Sequence, residues 1–257
     1  MKVTRTIAVI NEKGGVGKTT TTANLGGALA AAGKKVLLID IDKQSYLTQF
    51  TGMKKGVDYQ DGKTVNEVLL GKVEAQEAIY QKRKNLWVMP SSSELADTEY
   101  AIFLKMGREL ILKKAMAEVG NFDFILIDCP PSLGLMTVNA LCFASELFVV
   151  MQPEPASLKG MDQLLVTYKA VKENMNPSLE VTGVICSMVE GKVIHREIIE
   201  HLRANLKELV FQTVVPRRVL YTEASGQGRL IDDYKANSEE ADIIRTLASE
   251  VIKRKKK

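Results

Sequence analysis

Short apolar runs rich in β-formers punctuate the chain, and longer stretches with helical spacing separate them. The runs are Thr6–Ile10, Val36–Ile39, Leu86–Met89, Phe124–Ile127, Leu147–Met151, Val181–Cys186 and Val210–Val214. A strand that is apolar nearly throughout has to be covered on both faces, and helices on both sides of a parallel sheet provide that cover. The alternation therefore predicts an α/β fold: a mostly parallel central sheet with helices on both faces. Ligands of such sheets sit beyond the carboxyl ends of the strands, so the residues just after each run are where chemistry is to be sought.

With 257 residues, the chain can bury a sizeable core. No repeat or low-complexity linker divides it, so residues 1–257 read as a single domain with a basic tail at 253–257. Met53–Lys84 is polar and irregular apart from a short helical pattern at Val65–Leu70. Glu239–Lys253 places Ala241, Ile244, Leu247, Ala248, Val251 and Ile252 on one helical stripe, as in an amphipathic helix packed on the body. No segment approaches the roughly 18–20 apolar residues of a membrane span, and MKVTRTIAV lacks a secretory layout. Cys129, Cys142 and Cys186 are odd in number and far apart, which suits buried reduced thiols in a cytoplasmic protein rather than disulfides or a metal site. The net charge of +4 belongs to the end of the chain: without Lys253–Lys257, 30 basic residues stand against 31 acidic ones. Such a tail is either a solvated helix end or a contact for a polyanion, nucleic acid first.

The first apolar run opens into NEKGGVGKTTTT, Asn11–Thr22. The usual phosphate-loop pattern, G-x-x-x-x-G-K-[ST], would need a glycine where Glu12 stands. In its place is Lys13-Gly14-Gly15-Val16-Gly17-Lys18-Thr19-Thr20, with an extra lysine at the mouth of the loop. Gly14, Gly15 and Gly17 allow backbone N–H groups to turn inward on an anion, and a helix starting near Gly17 adds its positive end. Lys18 is placed to reach the β- and γ-phosphates, and the Thr19 hydroxyl to ligate Mg²⁺. Two other apolar runs deliver carboxylates at their ends, Asp40 and Asp42 from one and Asp128 from the other. Carboxylates in that position can hold Mg²⁺ directly or through water.

The loop Lys13–Thr20, the pair Asp40 and Asp42, and the run I-D-C-P-P-S-L-G-L at Ile127–Leu135 resemble the ParA/Soj/MinD class of deviant Walker A ATPases. VNAL at Val138–Leu141, Q-P-E at Gln152–Glu154, LKGMDQLL at Leu158–Leu165 and VVPRRV at Val214–Val219 extend the likeness over nearly the whole chain. Within the class it is most similar to the Soj-like ParA proteins. The resemblance implies an ATPase using ATP and Mg²⁺, in which Lys13 reaches across a nucleotide-sandwich dimer to the partner's phosphates. It implies that Lys18 and Thr19 bind phosphate and Mg²⁺, that Asp42 positions the attacking water, and that Asp40 and Asp128 surround the metal. Adenine would lie near Pro216 and the Ser187–Met188 strand end.

The function implied is DNA partitioning in the cytoplasm, at the nucleoid. The dimer would coat double-stranded DNA nonspecifically and be released by a ParB-like centromere-binding partner. Lys192, Arg196, Arg203, Arg217 and Arg218 lie in the half of the chain where relatives contact DNA, though Leu220 stands where many of them carry a basic residue. His195 and His201, six apart in HREIIEHL, read as surface residues rather than ligands. The alternative is a MinD-like membrane-positioning ATPase, but SEVIKRKKK offers no bulky apolar anchor. A metal-transfer enzyme on the same scaffold would need cysteines placed to hold a cluster. One departure bears on turnover: after Asp42 the family usually continues Pro-Gln-Gly-Asn, whereas this chain has Lys43-Gln44-Ser45-Tyr46.

Overall fold

The computed structural model describes residues 3–254, apart from the side chain of Lys159. Its strands are β1 (Arg5–Ile10), β2 (Val36–Asp40), β3 (Tyr80–Arg83), β4 (Leu86–Met89), β5 (Phe124–Asp128), β6 (Glu146–Met151) and β7 (Glu180–Cys186). The helices are α1 (Lys18–Ala31), α2 (Tyr46–Phe50), α3 (Val65–Leu70), α4 (Leu95–Phe103), α5 (Ile111–Ala115), α6 (Leu135–Phe143), α7 (Pro155–Asn174), α8 (Val193–Leu206), α9 (Val219–Gly226), α10 (Ile231–Tyr234) and α11 (Glu239–Lys253).

The strands form one seven-stranded sheet in the order β3-β4-β2-β5-β1-β6-β7. Every pairing is parallel except β3 with β4. β2 and β5 are buried along their whole length, as two-sided apolar strands must be. One core cluster packs residues of α3 to α8 on one face of the sheet, and another packs α1, α2 and α9 to α11 on the other.

Two strand assignments need correction. Val210–Val214 is not a strand; it touches β7 through an isolated bridge between Val184 and Val210. Its apolar character comes from packing: the Phe211 ring meets Phe148 edge-on, with centroids 5.2 Å apart. It lies so close over Gly183 that a Cβ there would come within 2.3 Å of it. The remaining strand is instead Tyr80–Arg83, an antiparallel edge whose residues are partly exposed and which therefore carries no apolar signature. It falls inside the polar stretch that reads as irregular.

The short helix at Val65–Leu70 forms as expected, closed by a capping box between Thr64 and Glu67. The C-terminal amphipathic helix also forms over the expected residues. Ser238 Oγ accepts from Ala241 N at its start, and the Arg5 guanidinium donates to Val251 O at its end. Lys255–Lys257 of the basic tail lie outside the described residues.

Candidate functional site

The loop 11–17 leaves β1 at its carboxyl end and feeds directly into α1. Gly15 and Gly17 have φ of 73° and 87°, in the left-handed region that side chains disfavour. At Gly17 space is also limiting, since a Cβ would stand 2.7 Å from Ser187 Oγ. The loop is thus a cradle that only glycine leaves open. Asn11 braces it, donating through Nδ2 to Val150 O at 2.7 Å and accepting from Lys13 N at 2.9 Å.

The two lysines occupy different environments. Lys18 is 7% exposed, and its Nζ donates to Lys13 O at 3.2 Å. Burial lowers its pKa, against the opposing pull of Asp128, Cys129 and Asp42. Lys13 stands outside the cradle with its side chain 41% exposed, and its Nζ pairs with Glu154 Oε2 at 2.7 Å.

The carboxylates converge on the same end of the sheet. Asp40 and Asp128 are register partners on β2 and β5. Thr19 Oγ1 donates to Asp128 Oδ2 at 2.7 Å, and Thr22 Oγ1 to Asp128 Oδ1 at 3.2 Å. Asp40 accepts from Asp42 N at 3.1 Å, and from Thr48 through both N (2.8 Å) and Oγ1 (2.7 Å). Burial raises the pKa of Asp40 to about 6. Burial, then the charge of Asp40, raises that of Asp128 to about 7. Both carboxyls are therefore poised to gain from a cation at their side.

Asp42 opens the turn that departs from the family pattern. Its Oδ1 accepts from Gln44 N at 2.9 Å, while its carbonyl accepts from Ser45 N at 2.9 Å and from Ser91 Oγ at 3.2 Å. Ser45 sits in the left-handed region that favours glycine, with φ of 53°.

Beside the loop opens a cavity of about 620 Å³, lined among others by Gly15, Met188, Pro216, Arg217, Tyr221 and Thr222. Its polar and apolar walls at the strand ends suit a nucleoside, and Met188 and Pro216 both face it. A larger cavity of about 960 Å³ lies at the amino ends of β1 and β6, around Arg5 and Glu146. The bidentate Arg5–Glu146 pair there and Arg5's bonds to Val251 O and Arg254 O fasten the C-terminal helix, so this cavity belongs to the clamp and not to the chemistry.

A nucleotide with Mg²⁺ fits this arrangement. Gly15 and Gly17 open the cradle, and Thr19 with Asp128 offers the hard oxygen donors that Mg²⁺ takes. Among the described residues no group of three or more His, Cys, Asp or Glu could hold a metal alone. Mg²⁺ at this place would share its coordination with phosphate oxygens and water.

The basic residues expected to meet DNA divide by environment. Arg196 is exposed on α8 and makes no ion pair among the described residues. Lys192 pairs with Glu190, and Arg218 lies 3.6 Å from Glu240 and 3.9 Å from Glu239. Arg203 is half-buried and donates to Gln212 O at 2.9 Å. His195 is not a surface residue: it is buried, and its Nδ1 accepts from Glu190 N at 3.0 Å, which anchors the turn into α8. His201 is exposed, as expected.

Several residues at the site carry no motif. Thr22, Thr48 and Ser91 are ordinary hydroxyls until the fold brings them to Asp128, Asp40 and Asp42. Glu154 was visible only as the last residue of the Q-P-E run, and the structure places it as the residue before Pro155 at the start of α7.

A left-handed glycine cradle between a parallel strand and a buried helix, flanked by threonine and aspartate, defines a P-loop nucleoside triphosphatase of the α/β type. Residues 4–181 match the family described as AAA domain. The chain is 37% identical over 253 residues to the chromosome-partitioning ATPase Soj of Treponema pallidum, covering 97% of this chain and 98% of that protein. It is 38% identical over 248 residues to the sporulation initiation inhibitor protein Soj of Bacillus subtilis, covering 95% and 97%. Its fold also matches cobyrinic acid a,c-diamide synthase of Mycobacterium smegmatis, solved with a bound ATP analog and magnesium. That match has a TM-score of 0.83 at 33% identity and covers 97% of this chain and 94% of that one. The chain belongs to the Soj/ParA family of partitioning ATPases.

Proposed function

We propose that this protein hydrolyses ATP with Mg²⁺ to partition DNA at the nucleoid, in the cytoplasm. Its ATP-bound form is a sandwich dimer that coats double-stranded DNA irrespective of sequence. A ParB-like partner stimulates hydrolysis and releases it. The whole chain, residues 1–257, acts as one ATPase domain.

The observation that carries this reading is the different placement of the two lysines. Lys18 is buried beneath its own cradle, so its charge serves its own phosphates. Lys13 is exposed at the mouth and free to serve another molecule's. Its bond to Glu154 joins two partly exposed side chains, and such pairs contribute little and exchange readily. A cation delivered in trans at the transferring phosphoryl group makes turnover conditional on assembly.

Bound ATP–Mg²⁺ supplies the scissile phosphoanhydride and an electrophilic metal. The chain's residues then divide the work. The loop N–H groups and Lys18 hold the phosphate oxygens. Thr19 and Asp128 would hold the metal, and Asp40, fixed by Thr48, stands beside Asp128 as its register partner on β2. Asp42 orients the attacking water from a turn tied down by Ser91. Met188 and Pro216 border the nucleoside.

The partitioning reading is favoured over membrane positioning because α11 spends its apolar face on the core, with Ile244, Leu247 and Val251 buried. No helix among the described residues is long and apolar enough to cross a membrane.

The test separates binding from assembly. Lys18→Ala should abolish ATP binding. Lys13→Ala should bind ATP yet remain monomeric in ATP by light scattering. A normal ATP-dependent dimer from the Lys13 variant would remove the trans role.

A further inference from the structure

A second concave surface shares no lining residue with the nucleotide cavity. Between α3, the turn after α4, and α5 lies a hollow of about 360 Å³ with an apolar floor that includes Val68, Leu69, Val73 and Ile111. Lys105 and Lys114 stand at its rim. Lys105 Nζ donates to Leu70 O at 3.2 Å, and Lys114 Nζ lies 3.5 Å from where a Cβ on Gly107 would stand. Neither ammonium enters an ion pair among the described residues.

The segment on either side of Lys105, itself part of the hollow's lining, is apolar out of proportion to its size. Tyr100 is 75% exposed, Phe103 52%, Leu104 79% and Met106 99%. The buried side of α4 is already provided for by Leu95, Thr98 and Ile102. Phe103 is covered in part by the Arg108 guanidinium, 4.4 Å from its ring centroid, which leaves Tyr100, Leu104 and Met106 as large side chains within seven residues that turn mainly to the outside. Clustered exposed apolar residues of this size mark an interaction surface, and aromatic residues with methionine are the types that interfaces favour.

Charge specifies the partner. The start of α4 and the turn before it carry Glu94, Asp97 and Glu99, which repel an anionic lipid surface. The hollow itself is lined by two cations, Lys105 and Lys114, against one carboxylate, Glu74. A hollow also accepts an inserted side chain, which a flat bilayer does not supply. We propose that this groove docks an amphipathic helical segment of another protein, with an apolar anchor seated in the hollow and aspartate or glutamate beside it facing Lys105 and Lys114. Helix-in-groove recognition of this kind reads anchors at i, i+4 and i+7.

The probe is a synthetic helical peptide of about 14 residues with leucine at those spacings and flanking glutamates. It is compared with the same peptide carrying lysine for glutamate. Binding to the full-length protein is followed by peptide anisotropy and by the ¹³C-methyl resonance of Met106. The expected result is saturable binding of the glutamate peptide that shifts the Met106 methyl. Affinity should drop at least about tenfold for the lysine peptide, and equally in a Lys105→Glu/Lys114→Glu variant. That variant should keep parent ATP-dependent dimerisation, which shows it to be folded and separates this surface from the partitioning reading. Absence of saturable binding, or unchanged binding in the charge-reversed variant, overturns the proposal. So does Leu104- and Met106-dependent sedimentation with phosphatidylglycerol vesicles, or nucleotide-independent self-association that Leu104→Ser abolishes.

Discussion

Ser45 occupies a backbone position made for glycine, and the cost can be worked out. Its φ of 53° lies in the left-handed region, where a side chain costs about 1–2 kcal/mol. Its Oγ is buried with no hydrogen-bond partner among the described residues, and an unpaired buried polar group costs about 1–3 kcal/mol. Glycine would remove both, while giving back about 0.4–1 kcal/mol through a freer unfolded chain. Ser45→Gly should therefore stabilise the protein by about 1.5 kcal/mol, taking the low end of each gain, which raises Tm by about 3–6 °C at this chain length. Ser45→Ala removes the hydroxyl but keeps the strained backbone, so its gain should be smaller, about 1 kcal/mol. Calorimetry on nucleotide-free protein measures both. A Ser45→Gly variant no more stable than the parent would refute the strained-turn argument. Equal gains from glycine and alanine would place the whole effect in the hydroxyl.

Asp42→Ala should still bind ATP and dimerise, but release phosphate at least about tenfold more slowly, a barrier increase of about 1.4 kcal/mol or more; the parent rate in a phosphate-release assay would remove Asp42 from the water-positioning role. Glu250 is pushed up by burial but held below its usual 4.5 overall by Gln212 N, Thr213 and Arg254, so the stability it lends is present above about pH 4.5 and lost as pH falls through its lower folded value. Glu250→Gln should accordingly lower Tm at neutral pH and flatten the loss of stability on acidification, as read by thermal melts across pH 3–7; a parallel shift at every pH would be the contrary result. Arg196→Glu should weaken DNA binding in ATP on two unrelated duplexes and reduce the salt slope, by about 0.9 for each phosphate the protein no longer neutralises. Unchanged anisotropy titrations across a salt series would exclude α8 from the DNA face.

What was legible in the sequence was whatever the backbone itself dictates. The cradle could be read because left-handed φ and close approach demand glycine, and no tertiary packing can alter that demand. β2 and β5 could be read because strands covered on both faces leave no polar position. β3 could not, since an edge strand half in water has ordinary polar residues, and its pairing with β4 is decided by the turn between them. Val210–Val214 misled for the converse reason: its residues are apolar because Phe211 fills the space over Gly183, and apolar packing does not require a ladder.

The same division runs through the site. Lys18, Thr19 and Asp128 were visible because the chemistry proposed for them, holding phosphate and magnesium, fixes residue type and spacing at once. The pairing of Lys13 with Glu154 was not, because it joins residues 141 positions apart and exposed pairs impose no pattern on the intervening chain. His195 shows how far a single tertiary hydrogen bond can reverse an expectation. Its neighbours in HREIIEHL are charged, yet the ring is buried because Glu190 N needs an acceptor where the chain turns into α8. That turn begins at Met188, itself left-handed at φ 53° and lining the cavity beside the glycine loop. Glu190 at its centre also holds Lys192 and Arg217. Glu190 thus ties the end of the segment that lines this cavity to the head of α8, the helix on whose exposed surface Arg196 stands.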